Sequence, residues 1–382
     1  MSRAVSGDHI LFDECINAFR LKEGGYRLKN GPSRAYLLTD FRLTTPWHLP
    51  NFTVNPSRSV ELPTPYKAFI CKIENLDSCD ANNPHLYGIA LSAVISFATG
   101  RACKSTRDDQ TYLGPTLADK NILELSFSHP VLAMGPGCTH TSLSERTLNK
   151  YKDDISALID RLHTVPYEKY TVLMQAIRLI HLSILFKKED FGLAYSLIVA
   201  AIEVVAQIAF PRKKMSKKHP KEKEWTLRAL KEGEEEFAEL LKEYKSARGS
   251  QHHITERYIK FINTFAPTAD WEGIVNHPHK VMLEAFEDVE TSTDLLHATR
   301  KRWWEKYPSD FTDEEITKIL IKSYDHRSCF VHAGEQPPHP SAESHDRFFQ
   351  TLYEDGNETY LPNYELLICI AQLSIRNWMN KD

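Results

Sequence analysis

The sequence lacks paired cysteines. Its seven cysteines, at positions 15, 71, 79, 103, 138, 329 and 369, stand singly, and no CxxC spacing occurs. A secreted disulfide scaffold or a cysteine-rich zinc site needs such pairs. The segment MSRAVSGDHILFDECINAF also lacks the uninterrupted apolar stretch of a signal peptide, because Asp8, Asp13 and Glu14 break it. The protein is therefore expected in a reducing cytoplasm.

Several sequence motifs of common enzyme classes are missing as well. The chain has no P-loop, GxGxxG or GxSxG motif, so nucleotide hydrolysis, dinucleotide redox chemistry and α/β-hydrolase chemistry have no support. The neighbouring His252 and His253 have no carboxylate or cysteine at ligand spacing, and no metal site is predicted. The 47 Lys and Arg nearly balance the 51 Asp and Glu, and the net charge is −4. A nucleic-acid surface must then be a local patch.

Long hydrophobic runs are scarce, with one exception. The stretch FGLAYSLIVAAIEVVAQIAF, residues 191–210, contains sixteen apolar residues in twenty, followed by basic residues. Glu203 and Gln207 argue against a membrane span, because a carboxylate near the bilayer centre costs about 3 kcal/mol. The stretch is predicted to be a fully buried helix of a soluble bundle.

Residues 1–141 mix β-like and helical signals. KAFICKIEN (67–75) and ILELSF (122–127) are short β-like runs, and LYGIALSAVISFATGRA (86–102) predicts a helix that ends near Gly100. The GPGC stretch at 135–138 is the best candidate boundary. We predict an α+β domain over 1–141, which senses a trigger or selects a substrate.

Residues 142–382 have helical periodicity in almost every segment and predict an all-α bundle, so that the protein is mainly α overall. A charged insertion is expected at about 211–310. Helices are predicted near residues 144–163, 168–187, 190–210, 228–247, 254–265, 278–306, 312–333 and 363–380. The last of them is apolar nearly all round, which predicts either a deep position in the bundle or a subunit interface.

The segment SYDHRSCFVHAGE, residues 323–335, contains an unusual arginine. Thr312 with three following acids is typical of a helix start, and Arg327 falls on the apolar stripe of the helix. A guanidinium cannot lose its charge, so burial requires a carboxylate or a bound anion such as phosphate. Glu203, the only acid on the apolar 191–210 helix, is one internal candidate. The predicted stripe consists of Ile316, Ile319, Leu320, Tyr324, Phe330 and Val331.

His332 is the second residue of interest in this segment. It falls in the last helical turn, before Gly334, where the helix dipole favours an imidazolium and where a histidine suits acid–base chemistry. Five residues at about 100° each leave Arg327 and His332 about 140° apart on an ideal helix. Either the helix end distorts, or a second subunit completes the site. The residues alone leave open a catalytic pair, or a capping histidine beside a structural arginine.

Two elements of the chain together resemble the HEPN superfamily, in particular its Apea-like branch. They are the apolar helix LIVAAIEVVAQIA with its single glutamate and, far downstream, the segment RSCFVHAG. The resemblance covers about residues 145–382. The resemblance implies a helical bundle whose R-x4-6-H motif, here Arg327 and His332, cleaves RNA without a metal or other cofactor. Glu203 matches the acidic residue of the earlier helix. The resemblance also implies a homodimer whose two motifs face each other, and a role as a toxin or in antiviral defence.

A basic run, RKKMSKKHPKEK, follows the apolar helix. It either binds RNA phosphates through counterion release or is a solvated loop. The main alternative to a ribonuclease is a catalytically silent HEPN module that binds RNA or protein, and a purely structural helical adaptor is the third hypothesis. The candidate RNA-binding residues are Arg212, Lys213, Lys214, Lys217 and Lys218.

Overall fold

The computed structural model contains an N-terminal α+β region and a helix-rich remainder. In the described part of the chain, one antiparallel sheet has the order β2-β3-β5-β1-β6, with β4 added to β5 and β7 to β1. The structure describes residues 8–20, 33–50, 52–61, 67–75, 84–106, 110–111, 124–126, 131, 142–212, 219–231, 234–250, 253–275, 305–336, 346–354 and 356–381. The strands are β1 (Ser33–Thr39), β2 (Trp47–Leu49), β3 (Phe52–Val54), β4 (Arg58–Glu61), β5 (Lys67–Asn75), β6 (Cys103–Ser105) and β7 (Gln110–Thr111).

Two helices accompany this sheet, α1 (Asp8–Cys15) and α2 (Pro84–Thr99). α2 lies against β1 and β6. The approach is close at Gly88, where an added Cβ would lie 2.3 Å from Ser105 Oγ. Gly100, with φ +69°, follows the last residue of α2, so the predicted helix end near Gly100 is confirmed.

The helix-rich remainder is built around one apolar helix. The predicted helix at 191–210 is α5, and it packs against α4, α8, α10 and α11. It is also the one helix in the described ranges that is long and apolar enough to cross a membrane, although most of it is buried inside the protein. The helices are α3 (Glu145–Thr164), α4 (Tyr167–Phe186), α5 (Phe191–Ala209), α6 (Glu222–Arg228), α7 (Glu235–Ser250), α8 (Ile254–Phe265), α9 (Trp271–Ile274), α10 (Asp313–Ala333) and α11 (Tyr364–Asn380).

A continuous hydrophobic core joins the sheet to the last helix. It contains Leu37 from β1, Leu91 from α2, Ile177 from α4, Ile202 from α5 and Ile370 from α11. Because α11 contributes fully buried residues to this core, the first of the two alternatives for the final helix, a deep position in the bundle, is present. Apolar burial of this extent is the main force that stabilises a fold.

Polar contacts also join the C-terminal end of α2 to α11. The last carbonyls of a helix have no partner inside the helix. Here Gln372 Nε2 donates to Phe97 O at 2.7 Å, and Arg376 Nη2 donates to Ala98 O at 2.8 Å. The two predicted domains, 1–141 and 142–382, therefore share a core and a polar contact, and the boundary between them stays a prediction.

The prediction that residues 142–382 are all-α is wrong. A two-stranded antiparallel hairpin, β8 (Phe349–Glu354) and β9 (Asn357–Pro362), precedes α11, and β9 contacts α10. The β-like run at 122–127 is also wrong where it is described, because residues 124–126 are helical. Short apolar runs fit a strand and a helical turn equally well.

The structure differs from the helix predicted at 228–247 and does not describe most of the one predicted at 278–306. The first is interrupted, since α6 ends at Arg228 and α7 begins at Glu235. Residues 276–304 lie outside the described residues. Within the predicted insertion at 211–310, α6 and α7 are charged and largely exposed, whereas α8 packs into the core through Tyr258 and Phe261. The limits of that insertion stay a prediction.

Candidate active site

Helix α10 carries both residues of the R-x4-6-H pattern, and both of its ends follow the predicted capping chemistry. Thr312 Oγ1 accepts from Glu315 N at 3.3 Å, and Glu315 Oε2 accepts from Thr312 N at 2.8 Å, which completes a capping box. The backbone hydrogen bonds with Thr312 lower the pKa of the Glu315 carboxyl. Gly334, with φ 71°, ends the helix in the left-handed region.

Arg327 reaches back to α5 and pairs with Glu203. The distance from Arg327 Nη2 to Glu203 Oε2 is 3.3 Å, and the two side chains are 22% and 10% exposed. The predicted pairing of these residues is therefore present. Because a buried guanidinium needs an opposite charge, the pair explains how arginine occupies the apolar stripe of α10. The catalytic roles of Arg327, His332 and Glu203 stay predictions.

Two further side chains surround the ion pair, and the sequence interpretation missed both. Gln207, one helical turn after Glu203 on α5, donates from Nε2 to Glu203 Oε1 at 2.9 Å. Tyr324, on α10, presents its ring to Arg327, with 5.9 Å between Cζ and the ring centroid. Burial, and then the nearby Glu203 carboxylate, raises the pKa of Tyr324. Their i+4 and i−3 spacings from the paired residues were the available sequence signal.

Two buried polar atoms of this cluster, Arg327 Nε and Glu203 Oε2, have no hydrogen-bond partner in the described part of the chain. A buried donor without an acceptor costs about 1–3 kcal/mol. The guanidinium, with one nitrogen on Glu203 and Nε unused, is chemically suited to a further anionic or carbonyl oxygen.

His332 lies in a different environment from Arg327. It is exposed in the last turn of α10, beside Val331, which is 53% exposed. The predicted continuation of the buried stripe to Val331 is therefore wrong, because buried stripe residues extend only to Tyr324. Helix α10 remains α-helical to Ala333, so Arg327 and His332 point about 140° apart. A distorted helix end, the first of the two predicted solutions, is absent from α10, and within one chain the two side chains do not converge.

The candidate RNA-binding residues are only partly described. Arg212 is half-buried just after α5, while Lys213, Lys214, Lys217 and Lys218 lie outside the described residues. Within the basic run, the His219 ring stacks on Trp225, with centroids 4.3 Å apart and planes 14° apart. In the described ranges, no group of three His, Cys, Asp or Glu side chains is placed to bind a metal ion.

Comparison of the chain with protein-family models, with curated proteins and with solved structures gave no match in any of the three. The likeness to the HEPN superfamily therefore depends on the residues themselves. These are the Glu203 helix, Arg327 and His332, of which the first two are in contact.

Proposed function

We propose that the protein is a metal-independent endoribonuclease of the HEPN type. The observation that carries this proposal is the Arg327–Glu203 pair, at 3.3 Å, on a helix whose exposed last turn presents His332. A cation for a phosphate and an imidazole for proton transfer are the two groups that RNA cleavage by its own 2′-hydroxyl requires.

The proposed reaction uses two histidines. His332 of one subunit takes the proton from a ribose 2′-hydroxyl, whose oxygen attacks the adjacent phosphorus. The partner subunit's His332 gives a proton to the leaving 5′ oxygen. Arg327 stabilises the negative charge that develops on the phosphorane. The products are a 2′,3′-cyclic phosphate and a 5′-hydroxyl, and DNA is inert because it lacks the 2′-hydroxyl.

A homodimer is part of the proposal, since one straight helix separates Arg327 from His332 by about 140°. An exposed apolar side chain next to His332 supports a contact surface at the end of α10, because Val331 is 53% exposed. Isologous contact of this surface with its copy would bring two His332 side chains to one site.

The proposed setting is the cytoplasm, with a role as a toxin or as an effector of antiviral defence. The cysteines of the described residues support a reducing compartment, because Cys15, Cys71, Cys103, Cys329 and Cys369 are free thiols. The N-terminal sheet packs on α2, which in turn packs on α3 and α4, and the proposed sensing or substrate-selecting role of the N-terminal region would act through this helix.

Cleavage of total tRNA in the presence of EDTA tests the proposal. We expect 2′,3′-cyclic phosphate ends from the natural protein and a loss of at least about a hundredfold in rate for His332→Ala. His48→Ala, at an exposed histidine of β2, is the matched control and keeps full activity. Equal cleavage by His332→Ala, or cleavage only after addition of a divalent metal, contradicts the proposal.

A catalytically silent HEPN module that binds RNA or protein is the second candidate. It is favoured by the fact that Glu203 already neutralises Arg327, which is also what packing alone requires. In that case the natural protein and His332→Ala are equally inert towards tRNA, and both retain the same affinity for it.

A further inference from the structure

We infer that Gln207 is a positioning residue for the proposed nuclease site: it fixes the Glu203 carboxylate, and through it the orientation of the Arg327 guanidinium. The inference rests on the proposed function, and it extends the site to a residue outside the R-x4-6-H pattern. Gln207 acts through Glu203 and needs no contact with RNA.

The two oxygens of Glu203 have different surroundings: Oε1 accepts a hydrogen bond, whereas Oε2 lies at ion-pair distance from Arg327 and accepts no hydrogen bond in the described part of the chain. Oε1 accepts from Gln207 Nε2 at 2.9 Å, and Oε2 faces Arg327 Nη2 at 3.3 Å. An ionised carboxylate only accepts hydrogen bonds, so the glutamine must present its NH2 group to it. The hydrogen bond from Gln207 to one oxygen restricts rotation of the carboxylate about its last bond, as does the contact of the carboxylate with the Tyr324 side chain. The second oxygen is thereby aimed at α10.

The remaining contacts of Arg327 make its orientation depend on that carboxylate. The ring of Tyr324 lies on one side, with 5.9 Å between Arg327 Cζ and the centroid. This ring is itself held, because it packs 5.7 Å from the Tyr258 ring, and Tyr258 Oη lies 3.0 Å from Ser323 Oγ. A ring attracts a cation from a broad range of directions, whereas a carboxylate oxygen selects one N–H edge.

The orientation matters because only part of the guanidinium remains for a phosphate. Nη2 lies 3.3 Å from Glu203, and Nε is buried, so a phosphate can meet the guanidinium only at the part of the side chain that is exposed, 22%. A guanidinium that turns freely presents its donors to the phosphorane only part of the time. Electrostatic stabilisation of a transition state depends on donors that are fixed in advance.

If Gln207 served packing alone, an apolar side chain of similar shape would replace it. Gln207→Met tests this possibility, because methionine has similar length and helix propensity but cannot donate. Gln207→Lys keeps a donor at the same position, since a lysine four residues after a glutamate can pair with it. Gln175→Met, at an exposed glutamine of α4, is the matched control.

Two readouts are measured on the full chain. The first is the exchange with water of the Arg327 Nε proton in 15N-labelled protein, with the resonance assigned by its loss in Arg327→Lys. The second is the kcat and KM of tRNA cleavage in EDTA. For Gln207→Met we expect proton exchange faster by about tenfold and kcat lower by about tenfold with KM unchanged, since one hydrogen bond to a charged group is lost. Gln207→Lys restores most of both values, and Gln175→Met changes neither.

The two readouts separate this inference from the proposed function. Unchanged exchange in Gln207→Met overturns the inference, whatever the cleavage assay gives. Faster exchange with unchanged kcat in a protein whose cleavage depends on His332 also overturns it, while the nuclease proposal stands. If the natural protein cleaves no RNA, the proposed function fails, and exchange that is faster in Gln207→Met and restored in Gln207→Lys still supports Gln207 as the residue that orders Arg327.

Discussion

Arg101 and Arg327 both lie in largely apolar surroundings, and the chain stabilises both in the same way. Arg101 pairs with Asp40 at 2.9 Å, with side chains 5% and 13% exposed, and its Cζ lies 5.4 Å from the Phe41 ring centroid. Arg327 likewise has a carboxylate and a ring. A paired, ring-stacked arginine is thus not in itself an active site. The Arg327 pair differs because His332 follows it on the same helix.

The ion pair between Arg327 and Glu203 is predicted to couple strongly. Glu203→Gln leaves the guanidinium without its counter-charge, and we expect a loss of about 2 kcal/mol in the free energy of unfolding. The double variant Glu203→Gln with Arg327→Met should lose less than the sum of the single variants, by about 1–2 kcal/mol, because the second change removes the unpaired charge. Urea unfolding of the four proteins measures this coupling.

The Lys187–Glu365 pair is the control for that cycle. These side chains also join two helices, α4 and α11, but they are 30% and 53% exposed. Solvent screens an exposed pair, so its coupling should be about 0–1 kcal/mol. Equal coupling energies for the two pairs would contradict the view that burial makes the Arg327 pair important.

The contents of the site were predictable from the sequence only in part. A charged residue on an apolar stripe demands an opposite charge or a bound anion, and α5 offers a single acid, so Glu203 was a candidate partner of Arg327 from pattern, and the structure shows the contact. Gln207 and Tyr324 were missed because a neutral polar or aromatic side chain fits an apolar helix without needing a partner. The exposure of Val331 was missed as well, because periodicity shows the direction of a side chain and not the end of the core.

His163 is predicted to make stability depend on pH. Burial lowers its pKa, and the smaller effect of Asp160 opposes this. At a pH below the ordinary His pKa of 6.5, His163 therefore binds a proton more readily in the unfolded chain than in the folded chain. The free energy of unfolding should fall as the pH decreases below about 6.5. His163→Phe, which keeps a ring beside Phe19, should reduce this slope in urea unfolding between about pH 5 and 8 and match the natural slope at the alkaline end.

At the scale of elements, six of the eight helices predicted over 142–382 agree with the structure to within a few residues, because their ends carry explicit chemistry. Ser144 accepts from Thr147 N at 3.2 Å at the start of α3, and Asp190 accepts from Leu193 N at 2.9 Å at the start of α5. Side chains of this type before an apolar periodic run are reliable start signals. The interruption between α6 and α7 had a signal too, since Gly233 stands in the sequence between them.

The hairpin of β8 and β9 was missed although the sequence carries its turn. Asp355 and Gly356 form an Asp-Gly pair between two runs that contain Tyr and Thr, and Gly356 has φ +79°. Such a pair is a strong hairpin signal. The long helical runs on both sides outweighed it. Its strands are short, and a two-stranded hairpin is stable mainly through packing, here of β9 against α10.

The glycine that ends α10 is predicted to act through backbone conformation alone. Gly334 has φ +71°, and an added Cβ would meet nothing within 4 Å. Gly334→Ala should therefore cost about 1 kcal/mol in unfolding free energy purely from the left-handed conformation. Gly273→Ala is the control, because Gly273 lies in α9 with the same open space and no positive φ. Thermal unfolding of both variants measures the difference, and equal stability would contradict the assignment of strain to Gly334.

At the scale of the whole molecule, the sequence predicted two units but not the helix that packs against both of them. Composition separates an α+β half from a helical half, since Pro, Gly and β-like runs are concentrated before residue 142. Composition cannot show that α2 packs both on the sheet and on α3 and α4. Leu91 and Val94 of α2 are fully buried in the core that also contains Ile177 of α4. A helix between two layers makes the stability of each layer depend on the other.

The contact between α2 and α11 is predicted to link the unfolding of the two halves. Gln372→Met removes the donor to Phe97 O, leaves a carbonyl without its partner and should lower the unfolding free energy by about 1–2 kcal/mol. Trp47 in the sheet and Trp271 in the helical part are both buried, so 19F resonances of 5-fluorotryptophan report on each half. We expect the two resonances to disappear at one temperature in the natural protein and to move down together in Gln372→Met, while Gln175→Met leaves both in place. Loss of the Trp47 resonance well before that of Trp271 would mean that the sheet unfolds independently and that the shared core does not bind the halves into one cooperative unit.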